Sequence, residues 1–571
     1  MTNQEIARIF NHIADILEIQ GEIVFKVRAY QKAAETIANF AGDISNLSEK
    51  ELAELPGIGK AIAEKTRELV ETGKLKYYED LKKSEYAPLV ELLQIQSVGP
   101  KHARLFYDRL GVKSISDLEK AAKQGKIRKL AGMGEKTEEN ILKGISALKK
   151  HKERIPIGEI LPKVEIIFAE LKKLKEVKDI LIAGSLRRFK ETIGDADILI
   201  ASDKSKPIMD AFVKLPQVAR VLSQGETKSS IITKDGFQVD LRVVEPDSFG
   251  AAAHYFTGSK AHNVKIRTMA VRKGIKVNEY GIFRGKKKIA SKTEEEVYKV
   301  FGMQWVPPEI REDWGEIELA LKHKIPALVE LKDIKGDLQM HSTWSDGWNS
   351  IEEMAQAGID CGYEYIAITD HSPTLGITQG LTEDRIYKQI EEIKKINKKY
   401  QNFRILTGIE VDIRDNGQLD LPHSVLKELD IVVASIHTKF NLPKEQMTRR
   451  IIKALENPVV DILGHPTGRL LGKREPFEVN MEKIIEAAKA NKKVLELNGC
   501  PDRLDLTDIY LKQAKEKGVK IVISTDSHKN LHLKEWMRYG VGMARRGWLE
   551  KKDVVNTLPL EKFLKFFKVK K

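Results

Sequence analysis

Seven times in the final third of the chain an apolar run of strand length ends on a polar side chain of metal-ligand type. The runs are GDLQMH (336–341), YIAITDH (365–371), ILTGIEVDI (405–413), IVVASIH (431–437), VVDILGH (459–465), VLELN (494–498) and VKIVISTDSH (519–528). Helix-length stretches separate most of them. A β/α repeat whose chemistry recurs at the C-terminal ends of its strands is the signature of a TIM-like barrel, and seven runs predict a seven-stranded variant. The strand ends and the loops just beyond them collect His341, Asp346, Asp370, His371, Glu410, His437, His465, Asp526 and His528. One strand-end histidine is ordinarily a satisfied polar residue; several of them with carboxylates between are hard to explain without metal. Mixed imidazole and carboxylate ligands suit Zn²⁺, Mn²⁺ or Fe²⁺ better than Mg²⁺, and a bound cation lowers the pKa of a water for attack on phosphorus. Gln339 stands two residues before His341 and so faces the same way in a strand.

The first 150 residues repeat a different unit: LPGIGKAIAEKTREL (55–69), IQSVGPKHARLFYDRLG (95–111) and LAGMGEKTEENIL (130–142). Each is an apolar residue, a small-residue turn ending in glycine, then a basic helix. The free N–H groups at such a helix start grip one backbone phosphate without reading a base. Gly57, Gly59, Lys60, Gly99, Lys101, Gly132, Gly134 and Lys136 are the expected DNA-contacting positions. A formal net charge of +14 agrees with a polyanionic partner, although lysine-rich solubility is the plainer account.

Between these regions, LIAGSLRRFKETIGDADILIA (181–201) reads as strand, Gly184-Ser185 turn, basic loop and strand, and FQVDLRVV (237–244) as a second strand. Asp195 and Asp197 face one side, and Asp240 lies among apolar neighbours. A carboxylate in a strand core is costly unless it is paired or binds a cation. Three converging carboxylates are hard oxygen ligands for two Mg²⁺ or Mn²⁺ ions, which would activate a 3′-hydroxyl and stabilise leaving pyrophosphate. The plainer alternative pairs Asp195 and Asp197 with Arg187 and Arg188. No apolar run approaches the ~20 residues of a membrane span, and the N-terminus lacks a secretory pattern. The two cysteines, Cys361 and Cys500, fit reduced thiols. A cytoplasmic, membrane-free protein is therefore expected.

On these motifs the chain resembles the prokaryotic family X DNA polymerases, with a core similar to DNA polymerase beta and a C-terminal PHP (polymerase and histidinol phosphatase) domain. HYFTGSKAHNVKIRTMAVRKGIKVNEYGIF (254–283) resembles the nucleotide-binding thumb, and FKVRAYQKAAETI (25–37) with the first hairpin resembles the small N-terminal domain. The resemblance implies that Tyr255, Phe256 and Gly258 contact the sugar, Asn263 the minor-groove edge of the base, and Arg267 the template. It also implies that Gly184, Ser185 and Arg188 hold the triphosphate with Arg187 nearby. Lys260 and His262 depart from family residues at nucleotide-contact positions. Lys65 falls where relatives place a Schiff-base lysine, with Lys26 and Tyr30 supporting; Phe25, Ala61 and Tyr77 replace basic residues there, and an exposed helix lysine remains the plainer reading. In the barrel the family pattern implies up to three Mn²⁺ or Zn²⁺ ions. One site would be held by Gln339, His341, Glu410 and Asp526, a second by Glu410, His437 and His465, and a third by Asp346, His371 and His528, Gln339 standing where most relatives have histidine.

The expected architecture is multidomain: an α-helical helix-hairpin-helix region (lyase-like 1–85, fingers 86–150), an α+β nucleotidyltransferase palm (151–247) and thumb (248–317), a linker (318–335), and a TIM-like (β/α)7 PHP barrel (336–571). The resemblance implies a monomeric repair polymerase that fills short gaps in gapped or primer-template DNA from dNTPs. Its barrel would be a Mn²⁺-dependent 3′–5′ exonuclease, abasic endonuclease or 3′-phosphatase. Two rivals stay open: a polymerase with a structural, impaired barrel, and a DNA phosphoesterase whose N-terminal half only delivers DNA.

Overall fold

The computed structural model describes residues 1, 3–38, 40, 44–95, 98–150, 154–374 and 378–568, and divides into two compact units, Met1–Glu153 and Arg154–Lys571. In the first, Ile6, Phe10, Ile13 and Leu17 recur at three- and four-residue spacing on helix Asn3–Gln20 and bury against Val27, Tyr30, Ala34 and Ile37 of Val24–Ala38. Each predicted hairpin is present, with helices Lys60–Thr72 and Pro100–Leu110 starting directly after Gly59 and Gly99, and Glu135–Lys150 after the Gly132–Gly134 turn. The leading arms of the second and third are 3₁₀ turns, Ala87–Gln94 and Ile127–Lys129, rather than α-helices. Gln96 and Ser97 of the second hairpin lie outside the described residues.

The second unit opens with a five-stranded sheet of β1 (Asp179–Ile182), β2 (Asp195–Ala201), β3 (Val218–Gln224), β4 (Lys228–Thr233) and β5 (Gln238–Val244), ordered β1-β2-β5-β4-β3. Only β2 and β5 pair in parallel, and their register sets Asp197 opposite Asp240. The next layer has helices Phe249–Thr257 and Lys260–Arg272, a small sheet of β6 (Lys276–Asn278), β7 (Gly281–Arg284) and β8 (Lys287–Ala290), and helix Glu294–Val300.

Seven parallel strands follow in sequential order: β9 (Gly336–Asp337), β10 (Tyr365–Ile368), β11 (Arg404–Asp412), β12 (Ile431–Ser435), β13 (Ile462–Leu463), β14 (Val494–Asn498) and β15 (Ile521–Ser524). The seam between β9 and β15 is drawn together by the parallel bridge Met340–Ser527 and by His341 N–H donating to the Ser527 carbonyl at 2.9 Å. Below it, the carboxamide of fully buried Asn556 acts as a strand surrogate. It donates to the carbonyls of Gly336 and Ile523, both at 2.8 Å, and accepts from Ile523 N–H at 3.0 Å. Phe563 and Phe567 of helix Leu560–Lys568 pack under Leu338, Tyr365, Val433 and Val522, so the lower barrel is a plugged core and the chemistry is confined to the other end.

The stretch read as a linker is folded. Helix Glu316–Leu321 joins the thumb core, and buried Val329 donates its N–H to Leu549 O at 2.9 Å. A lysine-rich sequence looks like a tether, yet its few apolar residues are enough to dock it. Arginines of the barrel also meet glutamates of the polymerase half: Arg469–Glu191 at 2.7 Å, Arg538–Glu165 at 2.8 Å, Arg545–Glu309 at 2.7 Å and Arg546–Glu312 at 3.1 Å.

Candidate active sites

In the palm, parallel β2 and β5 carry Asp195, Asp197 and Asp240 to one end of the sheet. Gly184 opens the turn before them with φ +61, and a Cβ there would come within 2.3 Å of Asp197 Oδ2, so glycine lets this turn lie against the carboxylate. Burial, then the charges of Asp195 and Asp240, push Asp197 up to about 7, and burial with Asp240 also raises Asp195. Buried Asp240 is held by Lys228 Nζ at 2.8 Å and by the Gln238 amide at 2.8 Å. Three carboxylates gathered at one sheet end, two of them raised by burial and by their neighbours' charge, fit a divalent cation by donor chemistry. Their oxygens do not all lie within 4.8 Å of one another; among the described residues the groups that do are both in the barrel.

The triphosphate candidates lie beside this triad. Ser185 follows Gly184 at the start of the short helix Gly184–Arg187. Arg187 is turned inward, with Nη1 2.7 Å from Thr257 Oγ1 and Nη2 2.7 Å from Glu294 Oε2. Arg188 donates Nε to Glu312 at 3.1 Å and Nη1 to the Thr257 carbonyl, reaching the turn that includes Gly258. Tyr255 and Phe256 are half-buried and edge-to-face, Asn263 donates to Tyr255 O at 2.7 Å, and Arg267 is exposed. His262 corrects the sequence reading: it is fully buried, bonded to Glu316 at 2.7 Å and the Tyr298 hydroxyl at 2.9 Å, and so braces the thumb core instead of facing a nucleotide. The family resemblance aligns it with a contact position, but its burial is a tertiary property.

In the first unit Gly57, Gly59, Lys60, Lys101, Gly132, Gly134 and Lys136 are exposed and Gly99 half-buried, as phosphate contact requires. Lys65 donates to Ala61 O at 3.2 Å, with its Nζ 5.5 Å from the Tyr77 ring centroid; Lys26 lies 5.9 Å from the same centroid and pairs with Glu22 at 3.1 Å. Tyr30 is buried and stacks on Tyr77. It supports this cluster from within.

At the barrel's C-terminal end the strands and the loops just beyond them bring the predicted ligands to one rim, five of them directly around Glu410. This carboxylate is 1% exposed and has His465 Nε2 at 2.9 Å, His371 Nδ1 at 3.0 Å, His437 Nε2 at 3.4 Å, His341 Nε2 at 3.7 Å and the Gln339 amide nitrogen at 2.9 Å. Two groups close to within 4.8 Å: His341, Asp346, His371 and His528; and His371, Glu410 and His437. His371 thus belongs to both groups and His341 sits with Asp346 as well as beside Asp526 at 3.1 Å, so the sets of the family pattern, two of them sharing Glu410, lie against one another in one cluster. Against the cost of burial, Glu410 holds His437 up at about 10 and Asp346 holds His528 up at about 9, while Glu410 itself is held well below the carboxylate range by His437 and His371. Gln339 Oε1, His341 Nδ1 and His465 Nδ1 are buried without a hydrogen-bond partner among the described residues. Orphaned lone pairs concentrated on one cluster of this donor type fit transition-metal ions.

Several residues here escaped sequence reasoning. Glu496 is fully buried and pushed well above its ordinary value by burial; it receives His465 N–H at 2.6 Å. Arg503, from the loop after β14, sets Nε 3.4 Å from Asp526, with Nη1 unpartnered. Asp370 is not a ligand, since Ser342, Ser345 and Gln389 saturate it and it fixes the loop that bears Asp346. VLELN carried a signal for Glu496; Arg503 had none.

Comparisons with known proteins agree with this layout. Residues 1–75 match a helix-hairpin-helix domain, 89–147 a SAM-like helix-hairpin-helix tandem, 154–248 a DNA polymerase beta palm, 252–312 a DNA polymerase beta thumb and 337–499 a PHP domain. The chain is 41% identical over 573 residues, covering 100% of both, to the DNA polymerase/3′-5′ exonuclease PolX of Bacillus subtilis (strain 168). Its last third is 35% identical over 191 residues to a probable phosphatase of Thermoanaerobacter sp. (strain X514), covering 32% of this chain and 73% of that one. A probable phosphatase of Acetivibrio thermocellus is 32% identical over 246 residues, covering 39% and 90%.

Proposed function

Since the chain belongs to the family X DNA polymerases that carry a PHP domain, we propose that it fills short gaps during DNA repair and trims 3′ ends with its barrel. It is a DNA-directed DNA polymerase, and the gap-filling role, the ions and the second activity are our reading. One observation carries it: Asp240 is buried in register with Asp197, beside a turn bearing Ser185 and Arg188. That arrangement is unfavourable in a resting protein and useful only to cations and a polyanionic substrate.

In this reading the hairpin glycines and Lys60, Lys101 and Lys136 hold the DNA backbone. Ser185 and Arg188 orient the incoming dNTP, and Tyr255, Phe256 and Asn263 line its sugar and base. Asp195, Asp197 and Asp240 would hold Mg²⁺ or Mn²⁺, which supplies Lewis acidity for the attacking hydroxyl and the leaving pyrophosphate. In the barrel His341, Asp346, His371, Glu410, His437, His465, Asp526 and His528 would hold Mn²⁺ or Zn²⁺, with Gln339 contributing an amide oxygen. The enzyme acts as a cytoplasmic monomer on gapped or primer-template DNA.

A second reading is favoured by one contact. Gln339 gives its N–H to Glu410, as a structural hydrogen bond would, and its oxygen is left unpartnered. Primer extension on a one-nucleotide gap tests the polymerase, which Asp240→Ala should abolish; undiminished synthesis would sink it. A 5′-labelled duplex with Mn²⁺ and no dNTP tests the barrel. Degradation by wild type that is lost in His437→Ala supports the nuclease. Degradation only by Gln339→His means the glutamine switched it off.

A further inference from the structure

The palm loop between the triphosphate candidates and the metal carboxylates, residues 188–191, is gripped by the barrel at three points. Arg546, 1% exposed on helix Asn530–Arg546, donates Nη1 to the main-chain carbonyl of Arg188 at 2.7 Å. The same nitrogen reaches Glu312 at 3.1 Å, and Glu312 in turn holds the Arg188 side chain at 3.1 Å and Lys190 at 3.4 Å. Asp508 anchors the other end of the Arg546 guanidinium. One residue on, Phe189 adopts φ +57 and lays its ring over Gly542, where a Cβ would stand 2.2 Å from the ring carbons; Tyr539 flanks it at 6.1 Å between centroids. Glu191 then accepts from Arg469 Nη2 at 2.7 Å, and Arg469 is tied to the carbonyls of Arg503 and Leu504. A non-glycine residue in the left-handed region is held there only by its surroundings, and here the surroundings are the other catalytic domain.

We propose that the barrel is a positioning element of the polymerase site: Arg546, with Glu312 and the Phe189–Gly542 seat, fixes the loop that presents Arg188 to the triphosphate. The proposal rests on the reading of Arg188 as a triphosphate contact. It is independent of whether the barrel hydrolyses anything, and it gives the barrel a function that an impaired metal cluster would not remove. Arg546 touches no substrate; it acts through Arg188.

The test uses the full chain and four variants: Arg188→Ala, Arg546→Lys, Gly542→Ala, and Gly542→Ala with Phe189→Leu. Amide hydrogen exchange over residues 184–195 reads loop order directly, and steady-state synthesis on a one-nucleotide gap separates dNTP KM from kcat. Thermal unfolding and gapped-DNA Kd report the rest of the molecule. We expect Arg546→Lys and Gly542→Ala each to speed exchange in 184–195 at least fivefold and to raise dNTP KM five- to twentyfold, with DNA Kd within twofold. The smaller leucine side chain in the double variant should return KM at least halfway to wild type. A purely structural role would instead reduce kcat in proportion to the folded fraction and leave KM alone. If Arg188→Ala raises KM while Arg546→Lys and Gly542→Ala leave KM and exchange within twofold, the proposal is wrong and the triphosphate reading stands. If Arg188→Ala itself leaves KM unchanged, the underlying reading fails. Should Arg546→Lys not fold, Gly542→Ala, which alters no charge, decides.

Discussion

Asp197→Asn should make the metal-free protein more stable while abolishing synthesis. The carboxyl of Asp197 is pushed from an ordinary 3.8 up to about 7, by burial first and then by Asp195 and Asp240. A rise of that size, at ~1.4 kcal/mol for each tenfold change in the ionisation constant, gives ~4 kcal/mol of penalty on the ionised form. Solvent at the half-buried edge of the sheet relaxes part of this, so we expect about 2–4 kcal/mol. The sign follows from linkage: a carboxyl raised in the folded state costs nothing below pH 3.8, where both states are protonated. The cost grows as pH rises toward 7 and is constant above it. Asparagine keeps the shape and never ionises, so it removes the cost at pH 8 and changes little near pH 4. The assay is thermal unfolding in EDTA at both pH values, with exchange of the β2 amides identifying the transition. A gain of roughly 1–2 °C per kcal/mol is expected for a unit of this size, by extension of the known size scaling. Saturating Mg²⁺ should narrow the gap by stabilising only the wild type. An Asn variant no more stable than wild type at pH 8, or a gain of equal size at both pH values, would refute the idea that these carboxylates are held in mutual repulsion for a cation to relieve.

At the barrel seam, Asn556→Ala strands the Gly336 and Ile523 carbonyls and the Ile523 N–H, which at about 1–2 kcal/mol per buried orphan predicts a loss of about 3–6 kcal/mol; an unfolding shift under ~1 kcal/mol would contradict it. Mn²⁺ binding to the barrel at neutral pH should expel one proton from each group, because His437 and His528 carry protons up to about 10 and 9. Calorimetry in buffers of different ionisation heat should show this release, with affinity rising up to tenfold per pH unit per site between pH 6 and 8, and a flat profile would count against it. Lys65 faces the Tyr77 ring where a Schiff-base lysine needs a cationic neighbour, so borohydride should trap wild type on an incised abasic site poorly and Tyr77→Lys better; Lys65-dependent adduct at full yield in wild type would reverse that expectation.

The barrel was legible because alternation and topology are properties of sequence: once seven apolar runs end on ligand residues, parallel pairing has to bring those ends to one rim, and Glu410 is found at the centre of that rim. The hairpins and the Asp195–Asp197–Asp240 constellation were legible for the same reason, each being a local pattern on a regular element. What sequence could not supply was whatever burial decides. His262 aligns with a nucleotide-contact position of the family and has the environment of a core residue. Asn556 and Arg503 look like ordinary loop residues until the chain closes around them. The division of ligands among ions depends on distances of a few ångströms across strands far apart in the chain, so His371 and His341 acquired neighbours that a linear motif does not predict. The segment 318–335 misled because its composition resembles a tether, whereas its docking depends on single residues such as Val329.

The ion pairs between barrel and polymerase half share a polarity: arginines 469, 538, 545 and 546 lie on the barrel, and glutamates 191, 165, 309 and 312 on the other side. A joint whose crossing ion pairs all run the same way behaves as a self-addressed encounter surface. During synthesis the palm emerges and folds first, displaying the glutamate partners while the arginines that will meet them are still being made. Attraction of this kind accelerates docking and selects orientation more than it deepens the final well, and it weakens as ions screen it. The two catalytic halves would then assemble quickly and in one orientation in dilute salt, and slowly in concentrated salt, even where the finished enzyme is equally stable in both.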